Sequence, residues 1–372
     1  MAGKRGNGEG GISRRRDGRW EGRYHVDTAE GRKRRIVYGK TRKEVAEKLA
    51  KAISEKDKPL RSVTKNVAFG EFLKQYEDTA KLTMKRRSFE TYEDIARLHL
   101  LPAFGGTKLK NLSREHVQRV YSEKRDCGLS AARVRRIHGV LSSILGHAVR
   151  WGYVEHNVCK EVTAPRVPAP EIRPFDSEEA KRFLEAARGD RYYPLYVLGI
   201  STGMRIGELG GLFWSGLDLS RRTVRVQRAL ITGREGQTFE PPKTANSRRS
   251  IGLTKLAVEA IGDHRDCQSR GGFSVEGDSL VFTNTIGGPI NPSHLFCRSF
   301  KPILKRAGLS KTTFHAATRH TFCCLALRQG VNAKSVSLAM GHSSVAFTLQ
   351  KYASFMPNYG DTANGLDDAL GG

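Results

Sequence analysis

Residues 313–352 read TFHAATRHTFCCLALRQGVNAKSVSLAMGHSSVAFTLQKY, a segment that sets Arg319 beside histidines and ends on a tyrosine. Arg319 follows His315 by four residues, His342 lies in the string LAMGHSS, and Tyr352 comes ten residues after that histidine. If the first part is helical, four residues advance about 40° beyond a full turn and three fall about 60° short of one, so His315 neighbours Arg319 on either count. A tyrosine near a chain end is by itself more often a packing residue than a reactive one, so the segment needs support from elsewhere.

Two upstream stretches supply it. In TGMRIGEL (202–209), Arg205 and Glu208 stand three apart and are expected to share one helix face. The arginine is then free to fork onto phosphate oxygens while Glu208 holds a neighbouring cation in place; a structural ion pair is the plainer alternative. In PPKTANSRRSI (241–251), a turn between strands carries Lys243 to a strand end. Other cations nearby readily depress a lysine pKa, which suits it to protonate a leaving oxygen, although isolated lysines are usually surface groups. Strands are expected at Thr223 to Gln227, Ala229 to Thr232 and Arg249 to Leu253, and Asp176 to Glu179 has the capping-box form ahead of Phe183 and Leu184. Residues 173–360 therefore read as one mixed α+β domain, mainly helical, followed by a tail at 361–372.

Further toward the N-terminus, the proline cluster in PRVPAP (165–170) marks a linker at 164–172. Residues 67–163 carry helical periodicity throughout. Phe69, Phe72, Leu73 and Tyr76 line one helix, and Tyr92, Ile95, Leu98 and Leu101 a second. Ser113 to Lys124 forms another, and Leu129 to Trp151 carries Val134, Ile137, Val140, Leu141, Ile144 and Ala148. Basic residues on these helices, including Arg86, Arg87 and Arg135, suit phosphate contacts or a merely solvated face. A second linker spans 58–66. Before it, Trp20, Tyr24 and Val26 fall at strand spacing, a turn follows at 28–31, and Ile36 and Tyr38 resume the alternation. Thr41 to Glu44 then has the form of a helix start, with Val45, Leu49 and Ile53 at helix spacing. This small sheet with a helix, residues 12–57, bears Arg14, Arg15, Arg16, Arg19, Arg23, Arg34 and Arg35, a pattern suited to a β-ribbon in a DNA groove or to a solvated basic face. Residues 1–11 are a Gly-rich, charged lead-in expected to be disordered.

The bulk properties agree. A chain of 372 residues exceeds what one core organises, so two or three domains are expected. A net charge of +26 points to a polyphosphate partner, with ribosome binding and anionic membrane surfaces as alternatives. There is no long apolar run and no signal-peptide core, which gives the expectation of a cytoplasmic protein without membrane contact. Six cysteines without a C-x-x-C pair indicate ordinary thiols, neither a disulfide framework nor a zinc site.

In chain order, T-G-x-R-x-x-E-L, P-K-T-x-x-S-x-R-x-I, R-H-T-F, L-x-M-G-H-S-S and T-L-x-x-Y resemble the motifs of tyrosine recombinases of the phage-integrase type. L-P-x-F-G (101–105) and W-G-Y-V-x-x-N (151–157) look like that family's helical core-binding domain, and residues 12–57 are similar to its arm-binding domain of three strands and a helix. The resemblance implies a multidomain, mainly α protein with small β elements, the last domain being catalytic. It implies that Tyr352 is the nucleophile, that Arg205 and Arg319 clamp the scissile phosphate, that His342 and His315 add hydrogen bonds, and that Lys243 protonates the leaving 5′-oxygen, with Glu208 in support. The histidine spacing departs from the family pattern. The usual form is H-x-x-R, which would put Ala316 in the histidine's place and leaves an accessory role for His315 open. The implied function is site-specific recombination of a mobile element, integrating or excising it through a 3′-phosphotyrosyl intermediate. No cofactor and no metal are implied. The implied partners are double-stranded DNA attachment sites, three further copies of the chain in a homotetramer, and a host DNA-bending protein or excision factor. A type IB topoisomerase-like enzyme and a non-catalytic DNA-binding regulator are the alternatives.

Overall fold

A computed structural model describes residues 11–15, 17–28, 31–56, 66–168, 173–241 and 248–356. Arg16, Lys243, the lead-in before Gly11, residues 58–65 and 169–172 of the two linkers, the side chains of Val26 and Ile53 and the tail at 361–372 lie outside these described residues. The chain divides into two compact units, Met1–Met84 with Thr91–Val167, and Lys85–Glu90 with Pro168–Gly372.

In the first unit, β1 (Gly11–Arg14), β2 (Trp20–Thr28) and β3 (Gly31–Gly39) form an antiparallel sheet in that order, followed by α1 (Arg42–Lys56). The period of two along a strand sorts its side chains. Gly22 faces α1: a Cβ there would lie 2.9 Å from Val45, and one on Gly39 only 2.7 Å from it, so the helix rests on two bare positions. Val45 and Leu49 are buried beneath the sheet. Thr41 caps α1 by accepting from the Glu44 amide at 3.2 Å, while the Glu44 carboxylate reaches back to the Lys40 amide at 2.8 Å. The same alternation divides the arginines. Arg23 and Arg34 fall on the open face together with their neighbours Ile36 and Tyr38, which are 38% and 44% exposed. Arg14 and Arg35 pair across the strands with Trp20 and Tyr24, on the helix side. Arg15 lies over the Tyr38 ring at 5.6 Å, and Arg19 is paired with Asp17 at 3.0 Å.

The helical part comprises α2 (Phe69–Thr83), α3 (Arg86–Ile95), α4 (Leu101–Phe104), α5 (Arg114–Asp126) and α6 (Ala131–Arg150). Ser113 and Ser130 cap the last two, each accepting a backbone amide three residues on, and the expected stripes of α2 and α6 are buried. One expectation fails here. Leu98 and Leu101 are 48% and 42% exposed, while Ala96, Leu100 and Phe104 are buried. The cause is a five-residue π turn at Ala96–Leu100, closed by the Leu101 amide on the Ala96 carbonyl, which shifts the buried stripe out of α-helical register.

The second unit begins with α7 (Ser177–Ala187), whose Asp176–Glu179 capping box forms in both directions at 2.8 and 3.2 Å. There follow α8 (Tyr193–Thr202), α9 (Ile206–Gly210), β4 (Leu217–Asp218), β5 (Thr223–Val226), β6 (Ala229–Gly233), β7 (Gly236–Glu240) and β8 (Arg249–Gly252). Strands β4, β5 and β8 make one sheet, and β6 and β7 a hairpin. Neither β4 nor β7 was legible beforehand: β4 has only two residues, and GQTFE is polar and owes its extension to pairing with β6. Helices α10 (Lys255–Arg270), α11 (Pro292–Leu295), α12 (Lys301–Arg306), α13 (Thr321–Arg328), α14 (Ala333–Met340) and α15 (Val345–Tyr352) complete it. The core centres on Phe183, Tyr196 and Phe300, each fully buried, with Phe183 5.3 Å from Tyr196 and 5.5 Å from Phe300. Burial of such side chains contributes about 1.5–3 kcal/mol each, and it fixes α8, which leads into the segment bearing Arg205.

Candidate active site

Helix α8 ends at Gly203 in the left-handed conformation (φ 64°), where a Cβ would lie 2.5 Å from the Phe322 ring. That turn brings the backbone out of the helix, so Arg205 precedes α9 in extended conformation (φ −73°, ψ 152°) and does not share a helix face with Glu208 as expected. The two still pair. Glu208 accepts from the Arg205 amide at 2.9 Å and from its guanidinium at 2.8 Å.

Glu208 is buried, and its second cation is Arg249 of β8, which donates to both carboxylate oxygens at 3.2 and 2.9 Å. Burial alone would raise the carboxyl pKa; the hydrogen bonds and charges of Arg249, and then of Arg205, outweigh it and hold Glu208 below its ordinary range. Arg249 also donates to the Ala339 carbonyl, so one side chain ties β8 to α9 and to the helix before Gly341-His342. The motif P-K-T-x-x-S-x-R-x-I contains Arg249, but sequence reasoning gave it no role because its partner lies 41 residues away.

Arg319 is 2% exposed and donates to the carbonyls of Gly203 at 2.7 Å and Met340 at 2.6 Å, at the ends of α8 and α14. A cation is favoured at a helix C-terminus, and burial followed by the charge of Arg205 pushes this one down to about 10. The residue lies beneath the site rather than along its wall. Its neighbour in sequence is held by a π turn, Ala316–His320, closed by the Thr321 amide on the Ala316 carbonyl. Such a turn contains one residue more than an α turn. It absorbs the extra residue between His315 and Arg319, so His315 lines the cleft while Ala316 is buried.

The cleft has a volume of about 670 Å³, and its wall includes Arg205, Glu208, Pro241, His315, His342 and Phe347. Pro241 is the last described residue before the segment that holds Lys243. Gly341 adopts the left-handed conformation (φ 63°) and closes α14, leaving His342 at the cleft with Nδ1 2.7 Å from the Thr348 hydroxyl. Desolvation, then Arg319 and the other cations, hold His315 and His342 at about 4, so both are neutral imidazoles. Tyr352 ends α15 and is 1% exposed, packed among Cys323, Cys324, Leu327, Val336 and Met340. Its ring lies parallel to that of His342 at 6.5 Å, and its hydroxyl is hydrogen-bonded to Nδ1 of His320. The phenol does not line the cleft. Of the basic residues expected to touch DNA, Arg86 is half-buried and paired with Glu90 at 3.2 Å and Glu235 at 3.0 Å, Arg87 pairs with Glu90 at 3.2 Å, and Arg135 is exposed.

The sequence profile of the phage integrase family matches residues 173–358, and that of the phage integrase N-terminal SAM-like domain matches residues 68–125. The chain belongs to the phage integrase family. A tyrosine recombinase XerC-like protein of Caldanaerobacter subterraneus subsp. tengcongensis is 30% identical over 348 residues, covering 87% of this chain and 88% of its own. The Tn1549 transposon integrase, solved in complex with a circular intermediate DNA, superposes with a TM-score of 0.67 at 22% identity over 80% of this chain and 98% of that one. A lambda integrase tetramer bound to a Holliday junction gives 0.57 at 19% identity over 96% and 97%. The integrase described here is thus a tyrosine recombinase, a site-specific enzyme of DNA strand breakage and rejoining that serves mobile elements.

Proposed function

We propose that the cleft bounded by Arg205, His315 and His342 receives the scissile phosphate of a duplex attachment site and that Tyr352 is the nucleophile. A phosphodiester resists attack because its charge repels nucleophiles and its alkoxide leaves poorly. Arg205, 41% exposed at the cleft, neutralises the nonbridging oxygens, and buried Arg319 adds positive potential from below. The neutral imidazoles of His315 and His342 donate hydrogen bonds to the same oxygens. The phenolic oxygen releases its proton to solvent and forms the new bond to phosphorus as the bond to the 5′-oxygen breaks, and Lys243 gives that oxygen a proton. The 3′-phosphotyrosyl bond conserves the energy of the phosphodiester, so a 5′-hydroxyl from a partner strand reverses the step without a cofactor.

The single observation that supports this reading is the gathering of Arg205, Glu208, His315 and His342 from three separate motifs around one cleft. The lambda integrase solved as a tetramer on a Holliday junction supports a homotetramer for this chain. A host DNA-bending protein or excision factor is a further partner implied by the resemblance alone. The open face of the N-terminal sheet, with Arg23, Arg34, Ile36 and Tyr38, suits a second DNA contact.

A nicked suicide substrate tests the assignment. Wild-type protein is expected to accumulate a covalent DNA adduct and Tyr352→Phe none. An equal adduct on the variant would remove Tyr352 from the role, and relaxation of plasmids lacking any attachment site would favour a topoisomerase-like reaction.

A further inference from the structure

Tyr352 is the proposed nucleophile, yet it is 1% exposed, is absent from the cleft wall and has its hydroxyl bonded to the buried His320 ring. We propose that His320 is a positioning residue that stores Tyr352 in a buried resting place, so that the phenol must leave this imidazole before it can reach a phosphate. The proposal rests on the reading of Tyr352 as the nucleophile.

Both partners are buried, Tyr352 at 1% and His320 at 7% exposure, with ring centroids 5.5 Å apart. A buried phenol without an acceptor would be costly, and among the described residues the hydroxyl's partner is Nδ1 of His320. For that nitrogen to accept, the imidazole must be neutral. Its surroundings enforce this: burial comes first, then His315, whose ring meets it edge-on at 4.7 Å, then the charges of Lys351 and Arg319, which together push His320 down to about 3. The phenol is pushed the other way, chiefly by burial, so the stored tyrosine keeps its proton on oxygen. The π turn at Ala316–His320 lets three nearby residues take separate tasks, with His315 at the cleft, Arg319 beneath it and His320 on the tyrosine. No role follows for His320 from its place in the motif, because adjacency to Arg319 says nothing about where its side chain points.

The test compares initial rates of adduct formation on a nicked suicide substrate. His320→Phe keeps a ring of similar size but accepts no hydrogen bond; removal of one such bond is expected to raise the rate about fivefold. His320→Asn retains an acceptor near the position of Nδ1 and is expected to stay near the wild-type rate. A His320→Phe rate equal to or below wild type, with melting temperature and DNA affinity kept, overturns the proposal. If that variant does not fold, nitrogen NMR of the His320 side chain in the wild type and in Tyr352→Phe decides, since it needs no activity. A change at Nδ1 on removal of the hydroxyl is expected, and identical spectra overturn the latch. An adduct on Tyr352→Phe would instead overturn the nucleophile assignment, leaving the NMR result to stand separately.

Discussion

The cations of the N-terminal sheet and those of the cleft are the same residue type in opposite circumstances. Arg34 lies exposed on an open strand face, whereas Arg23 on the same face is about half exposed and pairs with the buried Glu21 carboxylate. Arg249 and Arg319 have 7% and 2% exposure and donate to a buried carboxylate and to carbonyls at helix ends. A solvated arginine acts at long range, is screened by salt, and can be removed with little effect on folding. A buried one holds separate segments together, and taking away its partner leaves a charge in a poor environment.

The largest expected effect follows from that contrast. Glu208→Ala deprives Arg249 of its buried counter-ion and should cost about 3–5 kcal/mol in denaturant unfolding. Adding Arg249→Met should restore much of it, because two apolar groups leave no stranded charge; a decrease below about 1 kcal/mol in the single variant would break the comparison. Next comes the turn that carries Arg205. Gly203→Ala puts a methyl 2.5 Å from the Phe322 ring and a non-glycine residue in left-handed backbone, with an expected cost of about 2 kcal/mol or more. Unchanged melting would mean that the cleft tolerates a shift of its first arginine.

On the sheet, Arg34→Ala should leave melting within about 0.5 kcal/mol of wild type. DNA affinity should fall, and its dependence on salt should flatten by about 0.9 in logarithmic slope for each phosphate that is no longer neutralised. Arg35→Ala, on the helix side, should flatten the slope less, and equal effects would argue that strand alternation does not select the DNA-facing residues.

A pH slope gives the last test. His320 at about 3, and His315 and His342 at about 4, lie below the ordinary histidine value of 6.5. Above pH 6.5 these groups are neutral whether folded or unfolded. Between 6.5 and about 4 the unfolded chain binds protons that the folded chain does not, so stability falls as pH falls. The DNA-free protein should melt lower at pH about 5 than at about 7, and His342→Asn should make that slope shallower.

Much of this was legible from residues a turn or two apart. Strand alternation around Trp20 and Tyr24, the caps at Ser113 and Asp176, and the stripes of α2 and α6 depend on neighbours within a few positions, so a linear pattern carries them. The motifs likewise singled out Arg205, His315, Arg319, His342 and Tyr352. The tertiary structure decided the rest. Whether a helix inserts a π turn depends on what packs around it, and that choice exposed Leu98 and delivered His315 to the cleft in spite of its four-residue spacing. Glu208 meets Arg249 across 41 residues and Tyr352 meets His320 across 32, pairings that come into being only when separate helices and strands close on a shared core.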